Sequence, residues 1–179
     1  MFLQILTRHL ATRPNSLIRC QDSLREQTYG QWGQTILTDN VGRGVEWANR
    51  NLAHYAPQLT GDYIWILDDD DICIYPEFVE QLQFQCADSP AVVMVKGWCA
   101  DHGILPDGDY WGKRPVINHI GSSCFVVRRD VFQEHAQAWP ETLAGDFAFI
   151  DAVFDSNPYV KWWDMIVMRA IRAGNGKAE

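Results

Sequence analysis

Four aspartates, Asp68, Asp69, Asp70 and Asp71, stand directly behind an apolar run from Tyr63 to Leu67. Like charges in a row repel: two carboxylates about 4 Å apart cost about 4 kcal/mol at an effective dielectric of about 20. Something must offset that repulsion, and the candidates are water, helix-end amides or a cation. If the backbone stays extended, Asp68 and Asp70 point the same way. Two such carboxylates form an oxygen-rich notch for a hard divalent cation, Mn²⁺ or Mg²⁺, which would also neutralise a phosphate. Asp69 and Asp71 are then left to bond to the backbone or to face solvent. The competing reading is an acidic loop that hydrates itself and caps the helix behind it.

Two further templates can be laid on the same residues. An EF-hand loop begun at Asp69 places Cys73 at its fifth position and Ile74 where glycine is required, so it fails. A haloacid-dehalogenase-like phosphohydrolase also carries D-x-D after an apolar strand, with Asp68 as nucleophile. Here two strand–helix units precede that strand, and this reading stays as the alternative enzyme.

The elements that must position the aspartates follow from periodicity and punctuation. Apolar runs predict strands at 2–7, 34–39 and 62–67, the last apolar on both faces as a central parallel strand is. Helical spacing predicts helices over 13–27, 44–59 and 75–87, with Pro14 and Pro76 near two of the starts. Strand and helix alternate through this half, which implies an α/β fold with a mostly parallel central sheet flanked by helices. In such sheets ligands bind beyond the carboxyl ends of the strands, where Asp68 to Asp71 fall. The second half predicts strands at 91–98 and 122–132, a helix over 143–155 and a strand over 159–171, with a Gly-, Pro- and Asp-rich loop between the first two.

The whole chain sets outer bounds. Its 179 residues fit one domain, and 47% apolar with 21% charged residues is an ordinary globular composition. A formal net charge of −8 argues against nucleic acid as a bulk partner, which needs a basic stripe. Five widely spaced cysteines, with no C-x-x-C, read as free thiols in a reducing compartment. No apolar stretch approaches the roughly 20 residues of a membrane span. The expected location is cytoplasmic.

The surroundings of the acid run resemble the nucleotide-sugar half of GT-A glycosyltransferases of the family 2 type. The resemblance rests on Ser23-Leu24, Gln27-Thr28-Tyr29, Trp32, Asp39, Arg50-Asn51, Gly61-Asp62-Tyr63 and Leu67 to Asp71, in the order and spacing of that family over residues 2–87. Later, residues 119–132 resemble the strand before that family's acceptor site, and Gly145-Asp146 stands where it carries Glu-Asp.

The resemblance implies a Rossmann-like GT-A domain over 1–179, with a nucleotide-sugar half at 1–90 and an acceptor half and tail at 91–179. It implies a metal-dependent, inverting transfer of a sugar from a nucleotide diphosphate, expected to be UDP, to an acceptor hydroxyl on a glycan, a lipid-linked molecule or a small molecule. Asp70 with Asp68 would hold Mn²⁺ or Mg²⁺. Thr7, Arg8, Asp39, Arg50, Asn51, Asp68 and Asp69 would bind the donor, Asp39 as the carboxylate for uracil. Asp146 would be the base on the acceptor hydroxyl. For Asp39 the bland alternative is a turn cap, and for Asp146 a helix cap. Gly121, Ser122 and Ser123 are small enough for a donor sugar to approach, and Arg169, Arg172 and Lys177 form a basic cluster able to cover a diphosphate. A nucleotide-sugar-binding module without catalysis is the non-enzyme alternative.

Overall fold

The computed structural model describes residues 1–139 and 144–171. The first half runs β1 (Leu3–Leu10), α1 (Pro14–Arg25), β2 (Trp32–Asp39), α2 (Val45–Tyr55), β3 (Tyr63–Ile66), β4 (Asp71–Cys73) and α3 (Phe78–Gln85). The second half runs β5 (Val92–Cys99), β6 (Gly103–Leu105), β7 (Phe125–Arg128), α4 (Arg129–His135), α5 (Gly145–Asp155) and β8 (Val160–Ala170). The strands lie in the order β2-β1-β3-β7-β5-β8-β4, with β6 paired to β5. β1 is parallel to both β2 and β3, and β8 is parallel to β5. β7 is antiparallel to both β3 and β5, so the parallel heart continues into a mixed second half.

Strand alternation divides the core between the two sheet faces. Leu3 and Ile5 of β1 pack with Cys20 and Leu24 of α1 and with Phe78, Val79 and Leu82 of α3. Leu6 faces the other way, among Leu52 and Ala53 of α2, Phe132 of α4 and Phe149, Ile150 and Val153 of α5. β3 is buried on both faces, which explains its unbroken apolar sequence.

Two connections of opposite direction locate the site. From β1 the chain crosses by α1 to β2 on one side, then returns by α2 to β3 on the other side of β1. The crevice therefore opens between the carboxyl ends of β1 and β3, where the winding reverses. Arg8, His9 and Leu10 end β1 there, and Asp68 to Asp71 follow β3.

Three local expectations change. The span 122–132 is divided into a 3₁₀ turn at Ser122–Cys124, then β7, then α4. Val131 and Phe132 are buried from a helix, and a short apolar run looks alike in either conformation. β4 and β6, three residues each, were not expected; β4 exists because it pairs with β8, far away in sequence. The acid run is not extended: Asp71 N–H donates to the Asp68 carbonyl at 3.0 Å, which closes a turn over Asp68 to Asp71. Arg169 lies in β8, opposite Ile72; Arg172 and Lys177 lie outside the described residues.

Candidate active site

A cavity of about 490 Å³ occupies the crevice. Leu10, Leu37, Val45, Trp47 and Ala48 make one end apolar, with Asp39 and Gly42 beside them. Arg8, His9, Arg13, Asp68 and Asp70 make the other end charged. Asp39 meets the acid run here because β1 and β2 are in register, with Leu10 opposite Asp39.

Asp68 and Asp70 both line the cavity, and a different arginine takes each. Arg8 grips Asp68 with both arms of its guanidinium, Nε to Oδ1 at 2.7 Å and Nη2 to Oδ2 at 2.5 Å. Its Nη1 donates to Asn49 Oδ1 at 2.7 Å, and Nη2 reaches Ser122 Oγ at 3.2 Å. Arg13 approaches from the α1 side, with Nη1 2.9 Å from Asp70 Oδ2 and Nη2 2.8 Å from Asp69 Oδ1. The second contact is close but poorly aligned, since Asp69 Oδ1 and Arg13 Nε make no hydrogen bond among the described residues. Asp69 is fully buried and takes the Leu10 N–H at 2.9 Å and His9 Nδ1 at 2.8 Å on its Oδ2.

The arginines do not cancel the charge. Asp68, Asp71 and Asp146 act on Arg8, and Asp68 acts on Asp69, Asp70, Asp71 and Asp146, so five carboxyl groups stand around two guanidinium groups. Burial, then Asp68, pushes the Asp70 carboxyl up. Burial with Asp68 and Asp70 nearby holds Asp71 well above the usual carboxylate range. Burial also raises Asp69, against the pull of its bond from His9.

That residual negative charge and the hard oxygen donors fit a divalent cation at Asp70, which Arg13 engages through one oxygen. Asp68 fits less directly, because both of its oxygens lie in the grip of Arg8. Among the described residues no three His, Cys, Asp or Glu side chains converge as a ready-made metal cluster. The same grip weakens the phosphohydrolase reading, since a carboxylate bonded through both oxygens is a poor nucleophile.

The remaining expected residues divide. Asp39 does cap its own turn: Oδ1 accepts from Val41 and Gly42 N–H at 3.0 Å each, and Oδ2 from Arg43 N–H. Burial pushes its carboxyl up, but these three amides outweigh burial and hold it below the usual value. It still lines the apolar end of the cavity, and Oδ2 keeps lone-pair capacity for one more donor. Thr7 does not line the cavity. It faces the α1 side of the sheet, fully buried, and accepts from Gln34 Nε2 at 2.8 Å. Arg50 and Asn51 are not among the lining residues either. At about 100° per residue they point away from the face of α2 that carries Asn49, Leu52 and Ala53 inward. The inward side chain of that motif is therefore Asn49, which was not singled out. Arg13 was missed too, although an arginine just before Pro14 at the end of the first strand stands at the switch point by sequence alone.

Asp146 lies in the first turn of α5, and its Oδ1 accepts the Phe147 N–H at 2.8 Å. Burial raises its carboxyl, opposed by that N–H and by Arg8. Gly145 sets the approach of the helix. A Cβ there would lie 2.3 Å from Asn49 Nδ2 and 2.8 Å from Asn49 Cγ, with Asn49 itself held against Arg8. Gly145→Ala is expected to cost about 1–3 kcal/mol as overpacking and to weaken donor binding with it. Thermal melting and nucleotide titration of the variant check this; a wild-type melt with wild-type affinity would remove Gly145 from the site's framework.

No protein-family profile matches the sequence, and no curated protein matches it. Solved structures match the fold. Residues 1–349 of TarS from S. aureus, in complex with UDP, superpose at a TM-score of 0.71 with 12% identity, covering 95% of this chain and 60% of that one. The mannosyltransferase PcManGT from Pyrobaculum calidifontis, in complex with GDP-Man and Mn²⁺, superposes at 0.66 with 11% identity, covering 95% of this chain and 57% of that one. The fold is that of GT-A glycosyltransferases. A197 from STIV shares it at 0.64 with 14% identity, covering 92% of this chain and 82% of that one. The chain thus spans about 60% of the TarS segment it matches. Among the described residues, no helix is long and apolar enough to cross a membrane.

Proposed function

We propose that this chain transfers a sugar from a nucleotide-diphosphate donor to an acceptor hydroxyl, as an inverting enzyme of the family 2 type that uses a divalent cation. The observation that carries the reading is the two-ended cavity at the switch point of a GT-A fold. Its apolar end, with Trp47 and Asp39, suits a nucleobase, and its charged end, with Arg8, Arg13, Asp68 and Asp70, suits a diphosphate. The nucleotides in the TarS and mannosyltransferase complexes support a donor of this class.

In this reading the first half of the chain binds the donor and the second half supplies the acceptor side. Asp39, already ordered by three amides, accepts a base N–H. Arg8 and Arg13 offer guanidinium donors to the phosphates. Asp70, with Asp68 as second ligand, would hold Mn²⁺ or Mg²⁺. That cation would stabilise the charge that grows on the leaving diphosphate. Asp146 takes the proton of the acceptor hydroxyl as its oxygen bonds to the anomeric carbon. The bond from that carbon to the diphosphate oxygen breaks, and attack from the opposite face inverts the centre.

The test is calorimetry of UDP and GDP with the chain in Mn²⁺ and in chelator. UDP is expected to bind in Mn²⁺ and to lose most of its affinity in chelator, and Asp70→Ala is expected to remove that difference. Equal UDP affinity in both media would reject the cation-dependent site. GDP in place of UDP would change the donor and keep the site.

A further inference from the structure

We propose that Arg8 is an internal counter-ion that keeps Asp68 closed to metal until a donor diphosphate draws the guanidinium away. The inference rests on the donor-site reading above. Both oxygens of Asp68 accept from Arg8, at 2.7 and 2.5 Å, so a positive guanidinium spans the carboxylate and a cation that approaches its bidentate face meets a like charge. Arg8 does not hold this position by charge alone. Asn49 fixes its third nitrogen, Ser122 adds a bond, and the guanidinium carbon lies 5.9 Å from the centre of the Trp139 ring. The grip is therefore a built contact, in which side chains from four other parts of the chain surround Arg8.

Arg8 also lines the cavity, together with Asp68. A diphosphate presents oxygens in the geometry that guanidinium forks match, with more negative charge than one carboxylate. Arg8 can therefore exchange Asp68 for the donor without losing a bidentate partner. Asp68 is then left in one turn with Asp70 and Asp71, with Arg13 as the guanidinium still on Asp70. A divalent cation relieves the repulsion among these carboxylates. Donor and cation thus favour each other's binding, and the coupling is reciprocal. Without nucleotide, Arg8 performs the neutralising role itself.

The deciding measurement is a calorimetric titration of Mn²⁺ into nucleotide-free protein, wild type against Arg8→Gln. Glutamine cannot hold both oxygens of Asp68, so the variant is expected to bind Mn²⁺ about 5–150-fold more tightly, the range usual for coupled sites. Adding Asp68→Asn to Arg8→Gln is expected to abolish the gain. Arg8→Lys keeps the charge but not the fork and is expected to fall between; it decides the question if a thermal melt shows Arg8→Gln unfolded. Mn²⁺ affinity at or below wild type in the folded variants would overturn the proposal, and so would a gain that survives Asp68→Asn. UDP titrated in Mn²⁺ forms a separate arm. If UDP does not bind the wild type, the donor-site reading falls, while the nucleotide-free comparison still decides the role of Arg8.

Discussion

Asp146→Asn is expected to slow sugar transfer about 10²–10⁴-fold, the usual worth of a positioned general base, while donor affinity stays close to wild type. Asparagine keeps the shape and can still accept the Phe147 N–H, so the first turn of α5 is preserved. What it loses is the ability to take a proton. A structural role and a chemical role therefore separate in one variant: a helix cap predicts wild-type turnover, a base predicts the loss. The pH profile adds a second readout. Burial raises the carboxyl of Asp146, more than the helix N-terminus and Arg8 lower it. Only the ionised form is a base, so turnover falls as pH drops through the raised value. The acid limb of kcat/KM is thus expected above the range of an ordinary carboxylate. Unchanged turnover in Asp146→Asn would reject the assignment, and Asp151 or Asp109 would be examined next.

Arg13→Ala is expected to cost about 3–5 kcal/mol of stability, the usual penalty for removing one partner of a buried ion pair. The reason lies in Asp69 more than in Arg13. Asp69 is fully buried, and without Arg13 its charge keeps, among the described residues, the Leu10 amide and His9. Asp70 loses its one guanidinium in the same substitution. For a chain of this size a loss of that order lowers the melting temperature by about 6–20 °C. Scanning calorimetry reads it directly. Asp69→Asn in the Arg13→Ala background is expected to restore part of the loss, because a neutral amide oxygen still accepts from Leu10 without a charge to bury. An Arg13→Ala protein that melts like wild type would show that the carboxylates are neutralised by other means.

The sequence announced the parts of this architecture that local rules govern. The alternation of strand and helix, the doubly apolar β3 and the acid run at its carboxyl end all follow from periodicity, and they sufficed for the fold and the position of the crevice. What stayed hidden depends on the third dimension. Whether Asp68 and Asp70 share a face depends on a turn that one amide–carbonyl bond closes. That Asn49, not Arg50 or Asn51, points inward depends on how α2 is rotated against the sheet. That arginines face the aspartates depends on pairs 60 and 57 residues apart, Arg8 with Asp68 and Arg13 with Asp70. Spacing rules see neighbours a few residues away, and none of them reaches so far.

Those long separations bear on the chain before it folds. The partners of the acid run come from β1 and from the start of α1, so they cannot engage it until a loop of that length has closed, and in the unfolded ensemble the four aspartates stand charged and hydrated. Just ahead of them lies Tyr63 to Leu67, a five-residue apolar stretch that is almost wholly buried in the finished sheet. Such a stretch, rich in β-formers and free of charge, is prone to stack with copies of itself while exposed. Four negative charges at its end repel a second chain in register and act as a gatekeeper during synthesis and refolding. The acid run thus serves the chain twice, first against aggregation and later, once the arginines arrive, as the wall of the crevice.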